Sequence, residues 1–89
     1  MSQYHEPFDK LDDKTKDLTR AFRSLIEELE AVDWYNQRIA VSKDEELKKI
    51  LKHNRDEEME HAAMTLEWIR KKMPEFHYEL KKRLFIDEK

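Results

Sequence analysis

Glu58 and His61 stand three residues apart inside HNRDEEMEHAAMTLEW, residues 53–68. On a helix that spacing puts a carboxylate oxygen and an imidazole nitrogen on one face, one turn apart. Such a pair is half of what a carboxylate-bridged di-iron bundle requires, which is a Glu from each of two helices and a Glu-x-x-His from each of two more. Composition alone supplies the spacing cheaply. With 13 Glu and 4 His in 89 residues, about 0.6 such pairs arise by chance. The case therefore depends on where the pair sits and what faces it.

Glu28 is the second feature. It lies in the row Ala21, Leu25, Glu28, Val32, Tyr35, Ile39, which is otherwise apolar or aromatic. A carboxylate in such a row must be paired, hydrogen-bonded or bound to metal. Folding the chain back at Ser42 leaves Glu28 14 residues before the turn and Glu58 16 after it. At the helical rise, the two carboxylates come within roughly 3 Å of one level, with His61 one turn beyond. One hairpin then offers two carboxylates and one imidazole, too few for two metals. Two copies about a two-fold axis supply the full set. Ligands of this kind suit iron, with manganese or zinc as other occupants. A His-Glu-x-x-His zinc-protease motif is absent, because Glu57 stands where its first histidine would be.

The elements that must carry these residues are helical. No glycine and only two prolines occur, and 44% of residues are charged against 38% hydrophobic, so a few long helices are the natural reading. Residues 1–11 form an arm, in which Tyr4 and His5 read as solvated rather than as ligands. A first helix is expected over 12–40, capped by Asp12, with the seam Leu18, Phe22, Leu25, Leu29, Val32. Ser42 with Glu45 resembles a capping box, giving a second helix over 43–72; one continuous helix is the alternative. Pro74 stops that helix, and a third is expected over 75–85, edged by Phe76, Leu80 and Leu84. The class is all-α: an antiparallel hairpin plus a short C-terminal helix, completed to a four-helix bundle by dimerisation. A chain this short and polar cannot bury much within itself.

The net charge of −3 and the mixing of 18 basic with 21 acidic residues argue against nucleic-acid binding. No apolar run can span a membrane and no signal peptide is evident. Without cysteine, neither disulfides nor thiolate ligands are available. A cytoplasmic protein fits.

Three segments resemble the encapsulated ferritins, short ferritin-like proteins that work inside encapsulin nanocompartments: HEP at 5–7, EELEAVDWYNQR at 27–38, and HNRDEEMEHAAMTLEW at 53–68, with a looser match through RLF at 83–85. The resemblance implies a ferroxidase that oxidises Fe(II) with dioxygen at a di-iron centre and passes the product on for storage. It implies dimers that build a ten-subunit ring, with the centre formed only between two chains. Glu28, Glu58 and His61 of each partner correspond to the iron ligands. Trp34 and Tyr35 correspond to residues lining or bonding to the centre, and Glu27 and Glu30 to an acidic site that attracts metal. Stand-alone members continue into a shell-targeting tail. Since the sequence stops at Lys89, the resemblance implies either a removed tail or the ferritin-like part of a shell fusion.

The residues also admit plainer roles. Glu58 and His61 could be a hydrogen-bonded pair in a plain helical dimer, Glu27 and Glu30 a solvated face, and Trp34 and Tyr35 interface packing. His53 and His77 read as surface or inter-subunit residues, and Met59, Met64 and Met73 as packing. The competing functions are a non-catalytic helical oligomerisation module and another di-metal ferritin-like oxidoreductase.

Overall fold

The computed structural model describes residues 4–84; the expected end of the third helix at Phe85 lies outside them, as do residues 1–3 of the arm. A 3-10 turn, Phe8–Lys10, precedes α1 (Asp13–Val41), α2 (Glu45–Lys72) and α3 (Pro74–Arg83). No strand occurs among the described residues.

Each boundary has a local cause. Asp12 caps α1, its carboxylate accepting the Thr15 N–H at 2.8 Å. Hydrogen bonding from Thr15, through its side chain first and its backbone second, holds the Asp12 carboxyl below its ordinary value. Asp13 adds an acid to the first turn, where the helix dipole favours it. The hairpin turn is Ser42–Asp44. Both cap residues have extended backbones with negative φ (Ser42 −68°, Asp44 −90°), so the turn needs no glycine.

The N-cap of α2 differs from the expected Ser42. Asp44 fills that role, accepting the Leu47 N–H at 2.9 Å. Ser42 instead ends α1, donating its N–H to the Arg38 carbonyl and accepting the Asp44 N–H on its hydroxyl at 3.3 Å. An ionised carboxylate is at least as good an acceptor as a hydroxyl at a helix start. The shift also puts Glu45 and Glu46 in the first turn. At the other end, Met73 is forced towards extended geometry by the proline after it (φ −126°, ψ 92°). Pro74 then opens α3 at a position whose N–H a helix does not use.

α1 and α2 pack along their length, and α3 touches α2 only. The resulting body is a slab of 50 × 42 × 15 Å, its thin dimension only a few Å more than the ~10–12 Å of a single helix with its side chains. Its radius of gyration is 16.8 Å, against about 12 Å for a compact chain of this length. Among the described residues only Ala62 and Ile69 are buried, Ile69 completely. Ile26, Leu29, Ile50, Met59 and Met64 are exposed. One layer of helix cannot shield both sides of an apolar seam, so the hairpin leaves a hydrophobic face in water.

Candidate metal centre

The half-buried side of α1 runs through Leu25, Glu28, Val32, Tyr35 and Ile39, while Glu27 and Glu30 point to solvent. Glu28 is thus the acid that α1 turns towards α2. Its Oε2 lies 3.5 Å from the Thr65 hydroxyl, which donates to it across the hairpin. Its Oε1 is buried and has no hydrogen-bond partner among the described residues. A carboxylate oxygen withdrawn from water without a donor is costly, and a cation is the natural complement to it.

On α2, Glu58 Oε1 and His61 Nδ1 are 3.4 Å apart. That is long for a hydrogen bond. A carboxylate oxygen and an imidazole nitrogen this close on one helix face are donors that one cation could share. Glu58 is under a third exposed, whereas His61 is half exposed. A cleft of about 190 Å³ is lined by Ser24, Glu27, Glu28 and Glu58, so carboxylates from both helices meet in one space. The donor set, oxygen-rich with one imidazole, fits iron.

The register is not the one expected. Glu28 meets Thr65, seven residues beyond Glu58, and Arg55 reaches Asn36 at 3.1 Å. Glu28 is therefore staggered from Glu58 rather than level with it. Extended residues advance the chain by about 3.3 Å each against 1.5 Å in a helix, so the path of Ser42–Asp44 shifts a register counted from helical rise. Consistent with the stagger, no group of three or more His, Asp or Glu placed to hold a metal is found among the described residues.

The remaining candidates divide. Glu27 lines the cleft with the two inner carboxylates. Glu30 is exposed and outside that lining. Tyr35 is half-buried, with the Arg38 guanidinium 5.3 Å from its ring centre. Trp34 is 49% exposed, a large aromatic left uncovered by its own chain. His53 pairs with Glu57 at 3.7 Å on the outer face, and His77 accepts on Nδ1 from the Arg70 guanidinium at 3.0 Å, away from the cleft.

Thr65 is the residue that sequence reasoning passed over. It stands four residues after His61, in the polar middle of the row Asn54, Glu58, His61, Thr65. No sequence signal marks it, because the register counted from helical rise sets Glu28 opposite Glu58 and not Thr65.

The family model for EncFtn-like proteins matches residues 3–87. The chain belongs to the EncFtn-like family. It is 57% identical over 86 residues to a ferritin-like protein of Thermotoga maritima, covering 97% of this chain and 75% of that one. It is 53% identical over 83 residues to an encapsulated ferritin-like protein of Rhodospirillum rubrum, covering 93% and 59%. An encapsulin nanocompartment cargo protein of Myxococcus xanthus is 43% identical over 60 residues, or 66% of this chain and 46% of that one. The chain therefore spans three quarters of the first of these relatives and about half of the other two. A crystal structure of a Nitrosomonas europaea protein superposes with a TM-score of 0.91 at 60% identity, over 97% of this chain and 94% of that one. The resemblance to encapsulated ferritins and the all-helical ferritin-like fold are thereby established. Among the described residues, no helix of this EncFtn-like chain is long and apolar enough to cross a membrane.

Proposed function

We propose that the protein is a ferroxidase, oxidising Fe(II) to Fe(III) with dioxygen at a di-iron centre assembled between two copies of the chain. The observation that carries this reading is the Oε1 of Glu28, buried and without a hydrogen-bond partner among the described residues, in a cleft it shares with Glu58. A plain structural carboxylate would be expected to find a donor for that oxygen. Paired iron is suited to the chemistry because two ferrous ions can deliver two electrons to dioxygen in one encounter.

In this reading Glu58 and His61 of each chain hold one iron between a hard oxygen and a neutral imidazole nitrogen. Glu28 would contribute the remaining carboxylate. Glu27 at the cleft wall and Glu30 nearby draw cations in from solvent. Trp34 and Tyr35 close over the centre once a second chain covers the exposed face. Because one chain leaves the donors staggered, the second chain completes the set. The exposed apolar side chains of α1 and α2 are the surface on which it docks. Following the resemblance to encapsulated ferritins, such dimers build a ten-subunit ring; the relatives named as encapsulated ferritin-like and encapsulin cargo proteins support association with an encapsulin shell, into which the oxidised iron is delivered and to which a targeting tail or a fusion attaches the protein. In this reading the protein works within the nanocompartment, in the cytoplasm.

Anaerobic loading of the apo-protein with Fe(II), followed by oxygen, tests the reading. Iron oxidation well above the buffer rate, lost in Glu58→Ala and His61→Ala, is expected. A wild-type rate equal to that of both variants would leave a non-catalytic assembly module as the better description.

A further inference from the structure

We infer that Thr65 is a positioning residue for the metal centre: its hydroxyl holds one oxygen of Glu28 so that the other stays free for iron. This rests on the ferroxidase reading above. The two oxygens of Glu28 are treated differently by the fold. Oε2 receives the Thr65 hydroxyl from the facing helix at 3.5 Å, while Oε1 is buried without a partner. A glutamate has three rotatable bonds, and without a tether its carboxylate can swing until both oxygens find water or a donor. A single donor from α2 fixes the plane of the carboxylate and leaves one oxygen uncommitted, which is what orientation of a metal ligand by an outer partner requires.

Thr65 is well placed for that work. It sits one turn beyond His61 on the same row of α2, so the helix that presents the imidazole also presents the hydroxyl. It is half-buried, and its β-branched side chain has few rotamers to lose. The 3.5 Å separation is longer than the usual hydroxyl bond. Hydrogen bonds at catalytic sites are often this long in the unliganded protein and shorten in the loaded complex. A threonine in the middle of a helix commonly bonds back to its own backbone, as Thr19 does to the Thr15 carbonyl at 3.1 Å. Thr65 reaches across the hairpin instead.

The test compares Thr65→Val, which keeps the shape and removes the hydroxyl, with Thr65→Ser, which keeps the hydroxyl. Fe(II) binding under anaerobic conditions, the KM and kcat of iron oxidation, and the unfolding temperature of the chelator-treated protein are read for each. Thr65→Val is expected to bind Fe(II) roughly tenfold more weakly, the scale of one hydrogen bond to a charged group, with a raised KM. Thr65→Ser is expected to restore most of the affinity, and the metal-free unfolding temperatures are expected to stay close together. Equal iron binding in wild type and Thr65→Val, with oxidation still abolished by Glu58→Ala, overturns the positioning role and leaves the ferroxidase reading intact. Equal impairment of the Val and Ser variants also overturns it, since packing would then be the cause. A wild-type protein that neither binds nor oxidises Fe(II) overturns both.

Discussion

Replacing Glu28 by leucine should make the metal-free protein more stable while removing its response to iron. Glu28 carries a buried acceptor with no partner on Oε1 and a long contact on Oε2. An unsatisfied buried acceptor costs about 1–3 kcal/mol; the half-exposure of the residue as a whole favours the lower part of that range. Leucine removes the penalty and extends the apolar row through Leu25 and Val32. A gain of about 1–2 kcal/mol per chain is expected, and for a domain of this size each kcal/mol moves the unfolding temperature by about 4–8 °C. The assay is thermal unfolding followed by circular dichroism, with chelator and then with anaerobic Fe(II). Wild type should gain stability with Fe(II) through linkage, and Glu28→Leu should not. A chelator-treated Glu28→Leu protein that melts below wild type refutes the idea that Glu28 is a strained ligand. So does an equal iron-induced gain in the two proteins.

Four further outcomes are expected. Leu29→Asp puts a charge on the exposed apolar face of α1 and should shift the protein towards monomer by sedimentation, with loss of iron oxidation although every proposed ligand is intact. Asp44→Ala removes the α2 cap and should cost about 1 kcal/mol in denaturant unfolding, whereas Ser42→Ala should cost less. Ile69→Ala truncates the side chain that alone is fully buried among the described residues and should cost about 2–5 kcal/mol. Asp12→Ala should lower stability at neutral pH. Because the folded-state value of Asp12 is depressed below 3.8, its contribution is present above that value and is lost as pH falls through the folded value. The wild-type and Asp12→Ala unfolding curves should therefore converge in strong acid.

Much of the fold could be read from residue order. The absence of glycine, the cap at Asp12 and the stop at Pro74 are local signals, and local signals determine helices of this length. The N-cap of α2 was less legible, because Ser42 and Asp44 both carry cap-competent oxygens and a two-residue difference leaves every apolar row intact. The register between Glu28 and α2 could not be counted from helical rise, since the non-helical turn Ser42–Asp44, extended at both ends, intervenes and its direction is a tertiary matter. Glu58 and His61 were legible because their relation lies within one helix. Thr65 was not, because a hydroxyl reveals its partner only when the facing helix is in place.

The central claim is that two chains together hold paired iron. Crystals soaked anaerobically with Fe(II), with anomalous scattering collected at the iron edge, test it most directly. The account predicts two neighbouring iron peaks between two copies of the chain, each bound by Glu58 and His61, with Glu28 contributing to the pair. Iron confined within single chains, or scattered over surface acids with those three residues unoccupied, would contradict it.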